Sequence, residues 1–278
     1  MATEPAEYAW NLDFAYERLD PTFRAKKLTA HGELVITPTM RRLAASMPSF
    51  LDENVAVAVS GPVGSGKSTL MHALAAVSDV NTAIVDIVGN TPSDKAVWGA
   101  ISRSVIGHNQ GTAEQLRLAV AEHLTVVPTL LLVDEAQFIP RAAMMQLRWL
   151  WDQPFERFAI VLAGSGLYEV LERDDDVDTR IDERIPLRHL TPDKMRELIV
   201  AHHRWARATH PWVLDQIDAI HCHGSWRAWS KVLRKLARVN HEGPITVPVA
   251  ERALSSVKGH PVTLPTPPPD LANWHPPT

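Results

Sequence analysis

The sequence predicts an α/β protein, a parallel helix-covered sheet followed by a small all-helical region. Three observations carry this. Short apolar runs alternate with helical stretches from about residue 51 to 190. The glycine-rich stretch Gly61-Pro62-Val63-Gly64-Ser65-Gly66-Lys67-Ser68-Thr69 stands between the first apolar run and the helix after it. From residue 191 onward the pattern is helical only.

Taken in order, residues 1–50 read as an N-terminal extension with Tyr8, Trp10, Phe14, Tyr16 and Phe23 among charges, and a helix from Thr39 to Met47. Strands are expected at 55–59, 82–88, 129–133, 158–163 and 184–187, because short uninterrupted apolar runs suit strands buried on both faces. Helices are expected between them at 67–77, 93–106, 112–124 and 141–152. Thr191-Pro192-Asp193 reads as a helix start, with a capping hydroxyl, a proline in the first turn and an acid at the positive dipole end. Further helices are expected at 211–221, 225–239 and 247–257. Residues 259–278 hold seven prolines and read as a flexible, extended tail with little to bury. The expected division is an extension at 1–50, an α/β core at 51–190, a helical region at 191–258 and the tail at 259–278.

The glycine-rich stretch meets three needs of a bound nucleoside triphosphate. Gly61, Gly64 and Gly66 let the backbone turn its N–H groups inward around phosphates, where a Cβ would clash. Lys67 offers a point charge to the β- and γ-phosphates, and the Ser68 hydroxyl is a ligand for Mg²⁺. The helix from Ser68 to Val77 turns its N-terminus toward the anion. ATP and Mg²⁺ are therefore the expected ligands, held by Gly61, Pro62, Val63, Gly64, Ser65, Gly66, Lys67, Ser68 and Thr69. Leu130-Leu-Leu-Val-Asp134-Glu135 supplies the second half. Asp134, ending a buried strand, is placed to hold Mg²⁺ through water, and Glu135 to polarise the attacking water.

Composition sets limits. The chain has 278 residues, 45% of them hydrophobic, enough for one large domain or two smaller ones. Its net charge is −4 and its isoelectric point about 6.3, so any nucleic-acid contact needs a local patch. A single cysteine, Cys222, excludes an internal disulfide framework and fits a reducing cytoplasm. The acidic N-terminus does not read as a signal peptide, and no apolar run is long enough for a membrane span.

Other clusters carry weaker chemistry. Arg227, Lys231, Arg234, Lys235 and Arg238 share one face of the helix expected at 225–239, opposite Trp226, Trp229, Leu233 and Leu236. This is a solvated basic face, a contact to nucleotide phosphates through Arg227, or a contact to a nucleic-acid backbone. His221-Cys222-His223, with His202 and His203, is scattered around a helix end and reads as packing or surface residues rather than a metal site. Trp149 and Trp151, with Met144, Met145, Leu147 and Leu150, read as core, or as a crowded aromatic face that meets another subunit. Trp274 among prolines would suit a docking peptide.

Over residues 35–257 the chain resembles the AAA+ ATPases, on Gly61–Thr69, on Leu-Leu-Leu-Val-Asp-Glu-Ala-Gln at 130–137, and on three further stretches. Ala159-Ile-Val-Leu-Ala-Gly-Ser165 resembles the sensor-1 strand, which implies that Ser165 watches the γ-phosphate or the water. Arg180-Ile-Asp-Glu-Arg184 resembles the segment bearing an arginine finger, with Arg180 the first choice and Arg184 the second. Gly224-Ser-Trp-Arg227 resembles the sensor-2 start of a lid helix.

Within that family the chain resembles the transposition-regulator group, MuB/TnsC/TniB-like and related to ExeA-type ATPases, on Asp134-Glu-Ala-Gln137, Ala163-Gly-Ser-Gly-Leu167 and the spacing of Arg180-Ile, Leu187 and Leu190-Thr191. The resemblance implies a cytoplasmic ATPase forming a homo-oligomeric ring or filament on double-stranded DNA, dissolved by hydrolysis. The implied partner is a transposase or integrase, met through the N-terminal extension or the proline-rich tail. DNA contacts are expected after the second strand, at Lys95 and Arg103. An ExeA-type signalling or secretion ATPase and a helicase loader are the alternatives. A helicase would need a second motor domain with its own motifs, and the residues from 191 onward read as helical only.

Overall fold

A computed structural model describes residues 10–23, 36–89, 92–239 and 243–274. Tyr8 and the end of the tail, 275–278, lie outside the described residues. The chain divides into two compact units. One is built on 10–23, 36–62 and 66–187, the other on 63–65 and 188–274.

The first unit is a five-stranded sheet, β1 (Ala56–Ser60), β2 (Asn81–Asp86), β3 (Thr129–Asp134), β4 (Phe158–Gly164) and β5 (Glu183–Pro186), in the order β2-β3-β4-β1-β5. Every neighbouring pair is parallel. All five strands lie where the apolar runs place them. Every residue of β1, β3 and β4 is buried, while β2 and β5 at the edges are partly exposed. Parallel strands need crossovers, and helices supply them on both faces.

The helices of this unit are α1 (Ala15–Arg18), α2 (Pro38–Asp52), α3 (Lys67–Val77), α4 (Asp94–Ile106), α5 (Ala113–Leu124), α6 (Arg141–Trp151), α7 (Leu167–Leu171) and α8 (Asp175–Asp178). Local chemistry starts several of them. Thr37 and Ser93 accept from the backbone N–H groups of Met40 and Ala96, and Thr112 with Gln115 forms a capping box. Trp98, Ile101, Leu116, Leu147, Leu150 and Trp151 from α4, α5 and α6 fill one side of the sheet. Trp149 is partly buried there, with the Arg117 guanidinium 4.5 Å from its ring centre. The crowded tryptophan helix is thus core, as expected.

Met40, Leu43, Met47, Leu70, Met71 and Leu74 from α2 and α3 fill the other side, together with Trp10, Leu12 and Ala15. Part of the supposed N-terminal extension therefore completes a core layer. Trp10 donates its indole N–H to Asp79 at 3.0 Å, and the Phe23 ring stacks on His72 at 3.8 Å.

The second unit holds α9 (Pro192–His202), α10 (Arg204–Arg207), α11 (Pro211–Ile217), α12 (Trp226–Val239) and α13 (Val247–Lys258), with a π-turn over Asp218–Cys222. Met195, Ile199, Ile217, Trp229, Val232, Leu236 and Leu254 form its core. The buried Asp218 carboxylate accepts from the Trp229 indole N–H at 2.7 Å and the Gly224 N–H at 2.9 Å, satisfying donors that burial would otherwise leave unpaired. The helix at Pro192 begins where expected, but the Thr191 hydroxyl makes no capping bond, and Asp193 pairs with Arg196 at 2.7 Å. The proline-rich segment was expected to have little to bury. Leu264 is buried, Val262 and Leu271 pack on the same core, and the Leu264 N–H donates to Glu251 at 2.8 Å. Trp274 meets the His210 ring edge-on at 5.5 Å. No described helix is long and apolar enough to cross a membrane.

Candidate nucleotide-binding site

Strand register decides what meets at the carboxyl edge of the sheet. Ser60 of β1 lies opposite Gly164 of β4, and Val133 of β3 lies opposite Leu162. Three adjacent strands therefore end together. They deliver the glycine-rich loop, Ser165, and the pair Asp134–Glu135. Two strand spacings, roughly 10 Å, separate the ends of β1 and β3. Ligands of open α/β sheets lie at this edge.

The loop leads into α3 through Gly66, whose φ of +97° disfavours any side chain. No side chain caps this helix, so its first N–H groups keep the positive end of the dipole for an anion. Lys67, the first residue of α3, is only 7% exposed. Its ammonium donates to the carbonyls of Gly61 at 2.6 Å and Pro62 at 3.0 Å and to the Ser165 hydroxyl at 2.9 Å. A buried cation needs such partners. The Leu167 N–H donates to the Ser60 hydroxyl at 3.2 Å, tying the turn after β4 to the end of β1.

Asp134 is 4% exposed, and one of its carboxylate oxygens accepts from the Glu135 N–H at 2.9 Å. Glu135 adopts a left-handed conformation, φ +56°, uncommon outside glycine and a frequent mark of functional turns. This turn breaks the strand and starts the short 3₁₀ segment Ala136–Phe138. The Gln137 amide donates to the Glu135 carboxylate at 2.6 Å. A Cβ on Gly164 would stand 2.2 Å from the Gln137 side-chain oxygen Oε1, so the absence of a side chain there is what lets Gln137 lie against β4. Gln137 lies two residues after Glu135, and the turn at Glu135 is what brings the two side chains together.

The residues fit a magnesium nucleotide. The loop combines uncapped N–H groups with a cation for phosphate oxygens, and the Ser68 hydroxyl and Asp134 carboxylate are the hard oxygen donors Mg²⁺ takes. Among the described residues no group of three or more His, Cys, Asp or Glu side chains forms another metal site. His221 is partly buried, Cys222 buried and His223 exposed, consistent with side chains scattered around the helix end.

Comparison with known proteins agrees with this geometry. Residues 52–174 match the family model described as an AAA domain. No curated protein matches the sequence. Among solved structures, the Aeropyrum pernix ORC2 protein in its ADP form is similar with a TM-score of 0.63 at 17% identity, over 81% of this chain and 71% of that one. Cdc6p from Pyrobaculum aerophilum gives 0.63 at 16% identity, over 88% and 71%. A Thermotoga maritima RuvB mutant gives 0.56 at 15% identity, over 83% and 73%. The fold is that of the AAA+ P-loop ATPases.

The AAA+ fold implies nucleotide binding, and the other expected site residues can be placed on it. Arg180 follows α8 with its side chain 52% exposed, 3.7 Å from Asp152. Arg184 lies in the edge strand β5, paired with Asp178, its guanidinium 5.3 Å from the Tyr168 ring centre. Lys95 and Arg103 are exposed on α4. Arg227 is exposed in the first turn of α12, in the second unit. Lys67, Ser165, Asp134 and Glu135 are thus delivered to one edge, whereas the four candidate cations at Arg180, Arg184, Lys95 and Arg103 lie on other parts of the same unit.

Proposed function

We propose that this protein is a Mg²⁺-dependent ATPase that assembles on double-stranded DNA and regulates transposition by recruiting or activating a transposase. Hydrolysis to ADP and phosphate drives disassembly. The observation that carries the ATPase reading is the three-strand edge, where Lys67 bridges the loop to Ser165 and the Asp134–Glu135 turn ends the neighbouring strand.

In this reading the N–H groups of Gly61–Thr69 hold the phosphates and Lys67 neutralises the β- and γ-oxygens. Ser68 and Asp134 hold Mg²⁺, which when bound neutralises charge on the phosphates. Glu135 takes the proton of the water that attacks the γ-phosphorus, while the bond to the ADP oxygen breaks. Gln137 keeps the Glu135 carboxylate in place, and Ser165 reports on the γ-phosphate through Lys67. Arg180 is the finger presented to a neighbouring subunit, since its side chain is the more exposed. Arg184 is held by Asp178. Arg227, at the start of α12, is the remaining candidate for a nucleotide phosphate.

The DNA reading draws on the similar structures. One is RuvB described as a Holliday junction branch migration motor, and another is Drosophila ORC bound to DNA, with a TM-score of 0.63 at 14% identity over 93% of this chain and 68% of that one. The transposition reading draws on Asp134-Glu-Ala-Gln137 and Ala163-Gly-Ser-Gly-Leu167. A helicase loader is the second reading, favoured by the same DNA-bound ORC likeness. Sizing the protein with a non-hydrolysable ATP analogue, with and without duplex DNA, tests the proposal. Large assemblies that need both, and that stimulate a transposase, support it. A DNA-indifferent complex favours a signalling or secretion ATPase instead.

A further inference from the structure

The helix α12 carries a charge pattern that nothing in the nucleotide site uses. Lys231, Arg234 and Arg238 are exposed and Lys235 is partly so, while Trp229, Val232, Leu233 and Leu236 on the opposite side are buried in the core of their own unit. The spacing i, i+3, i+4, i+7 keeps the four cations on one stripe about 10 Å long. No acidic residue occurs from 224 to 241.

The stripe is also electrostatically bare. Elsewhere in the chain arginines find carboxylates, as in Arg141 with Asp174, Arg157 with Asp52 and Arg196 with Asp215. Among the described residues none of the four stripe cations has a carboxylate partner. The excess charge is felt nearby. Burial, and then the Lys258 and Lys231 charges, hold the His221 imidazole below its ordinary value. In a chain of net charge −4, four cations on two turns with no carboxylate partner among the described residues are a concentrated exception.

We infer that Lys231, Arg234, Lys235 and Arg238 form the surface that takes the phosphate backbone of duplex DNA. This rests on the DNA-bound reading above and names its contact surface. A duplex carries one negative charge per about 1.7 Å of axis, so a stripe of this length spans about six phosphates and asks for no matching partner sequence. A membrane surface is disfavoured because the apolar face of the helix is already buried. A second copy of the chain is disfavoured because the acids at Asp174, Asp176 and Asp178 already meet Arg141, Arg148 and Arg184. Lys95 and Arg103 on α4, with Asp94 in the same helix, make a sparser surface.

The test is fluorescence anisotropy of a short labelled duplex with the full chain and a non-hydrolysable ATP analogue, between about 50 and 200 mM salt. The triple variant K231Q/R234Q/R238Q is compared with K95Q/R103Q. All five side chains are exposed, and circular dichroism with ATP titration confirms that each variant folds. Removing three phosphate contacts makes the slope of log K against log salt less steep by about 2.7, with affinity lowered at least roughly tenfold at low salt. The α4 double variant tests the rival contact: if it flattens the slope while the triple variant does not, the duplex lies on Lys95 and Arg103 and the stripe assignment is overturned. If the wild type binds DNA and the triple variant matches its slope, the stripe assignment is overturned and the DNA reading stands. If the wild type binds no duplex, both fall. If poly-glutamate binds the wild type and is lost in the triple variant while duplex binding persists, the stripe is a surface for acidic protein and the assignment is overturned.

Discussion

The Lys67 ammonium donates to the Ser165 hydroxyl at 2.9 Å, joining two residues ninety-eight positions apart in the chain. The strand order makes this contact, since β4 lies directly beside β1. A single buried cation thereby couples the glycine-rich loop to the end of the fourth strand. Ser165→Ala removes a hydrogen bond to a charged group, about 1.5–3 kcal/mol. We expect kcat to fall about 10- to 100-fold, with ATP affinity within a few-fold of wild type. Single-turnover hydrolysis and titration with a fluorescent nucleotide separate the two quantities. Equal losses in both would make Ser165 a plain binding residue.

The grip of Gln137 on Glu135 yields a graded series. Glu135→Gln is expected to bind ATP normally and to lower kcat about 10²- to 10⁴-fold, the usual worth of a positioned base. Gln137→Ala leaves the carboxylate chemically intact but free to turn, and about a tenfold loss of kcat with unchanged KM is expected. Gly164→Ala should behave like Gln137→Ala, because the new Cβ collides with the Gln137 carboxamide. Steady-state kinetics on the three variants gives the order directly. A fully active Gln137→Ala enzyme would remove the positioning role.

Arg180 and Arg184 are expected to fail in different ways. Arg180→Ala should hydrolyse poorly only under conditions where subunits assemble. Mixing it with Glu135→Gln should restore part of the activity, because one interface then pairs an intact Glu135 with an intact Arg180. Arg184→Ala should lose about 1 kcal/mol of stability through its contacts with Asp178 and Tyr168, and differential scanning calorimetry would show it. If mixing restores nothing, Arg180 is not the finger.

Much of this site was legible in the sequence because its signals are local. Gly61–Thr69 announces its chemistry in nine residues, and the buried strands β1, β3 and β4 are uninterrupted apolar runs. What escaped depends on contacts between distant segments. Trp10, Leu12 and Ala15 sit among charges, and only the sheet face they cover shows that they belong to the core. The helices Leu167–Leu171 and Asp175–Asp178 are too short for any periodicity to register. Prolines disguised the packing of Val262 and Leu264, whose backbone donors are taken by Ser255 and Glu251. The role of Gln137 depends on the left-handed turn at Glu135, which no residue type in that turn demands.

Cys222 provides a probe of the second unit. Burial, with the nearby Asp218 charge, pushes its thiol far above the ordinary value. The folded state therefore holds the proton that an unfolded thiol would lose, so raising the pH through the unfolded value near 8.5 should destabilise this unit rather than stabilise it. Alkylation by iodoacetamide at neutral pH should be at least about 100-fold slower in the native protein than in denaturant, since the thiolate is the reactive form. Rapid native labelling would show that the unit opens readily.

A magnesium nucleotide is proposed to sit at the carboxyl edge of β1, β4 and β3. Isothermal titration of ATP with Mg²⁺ into the wild type, Lys67→Ala and Glu135→Gln proteins tests it most directly. The wild type and Glu135→Gln should bind one nucleotide per chain with similar affinity, and Lys67→Ala should show no measurable binding. An absence of binding by the wild type, or undiminished binding by Lys67→Ala, would mean that this edge is not the nucleotide site.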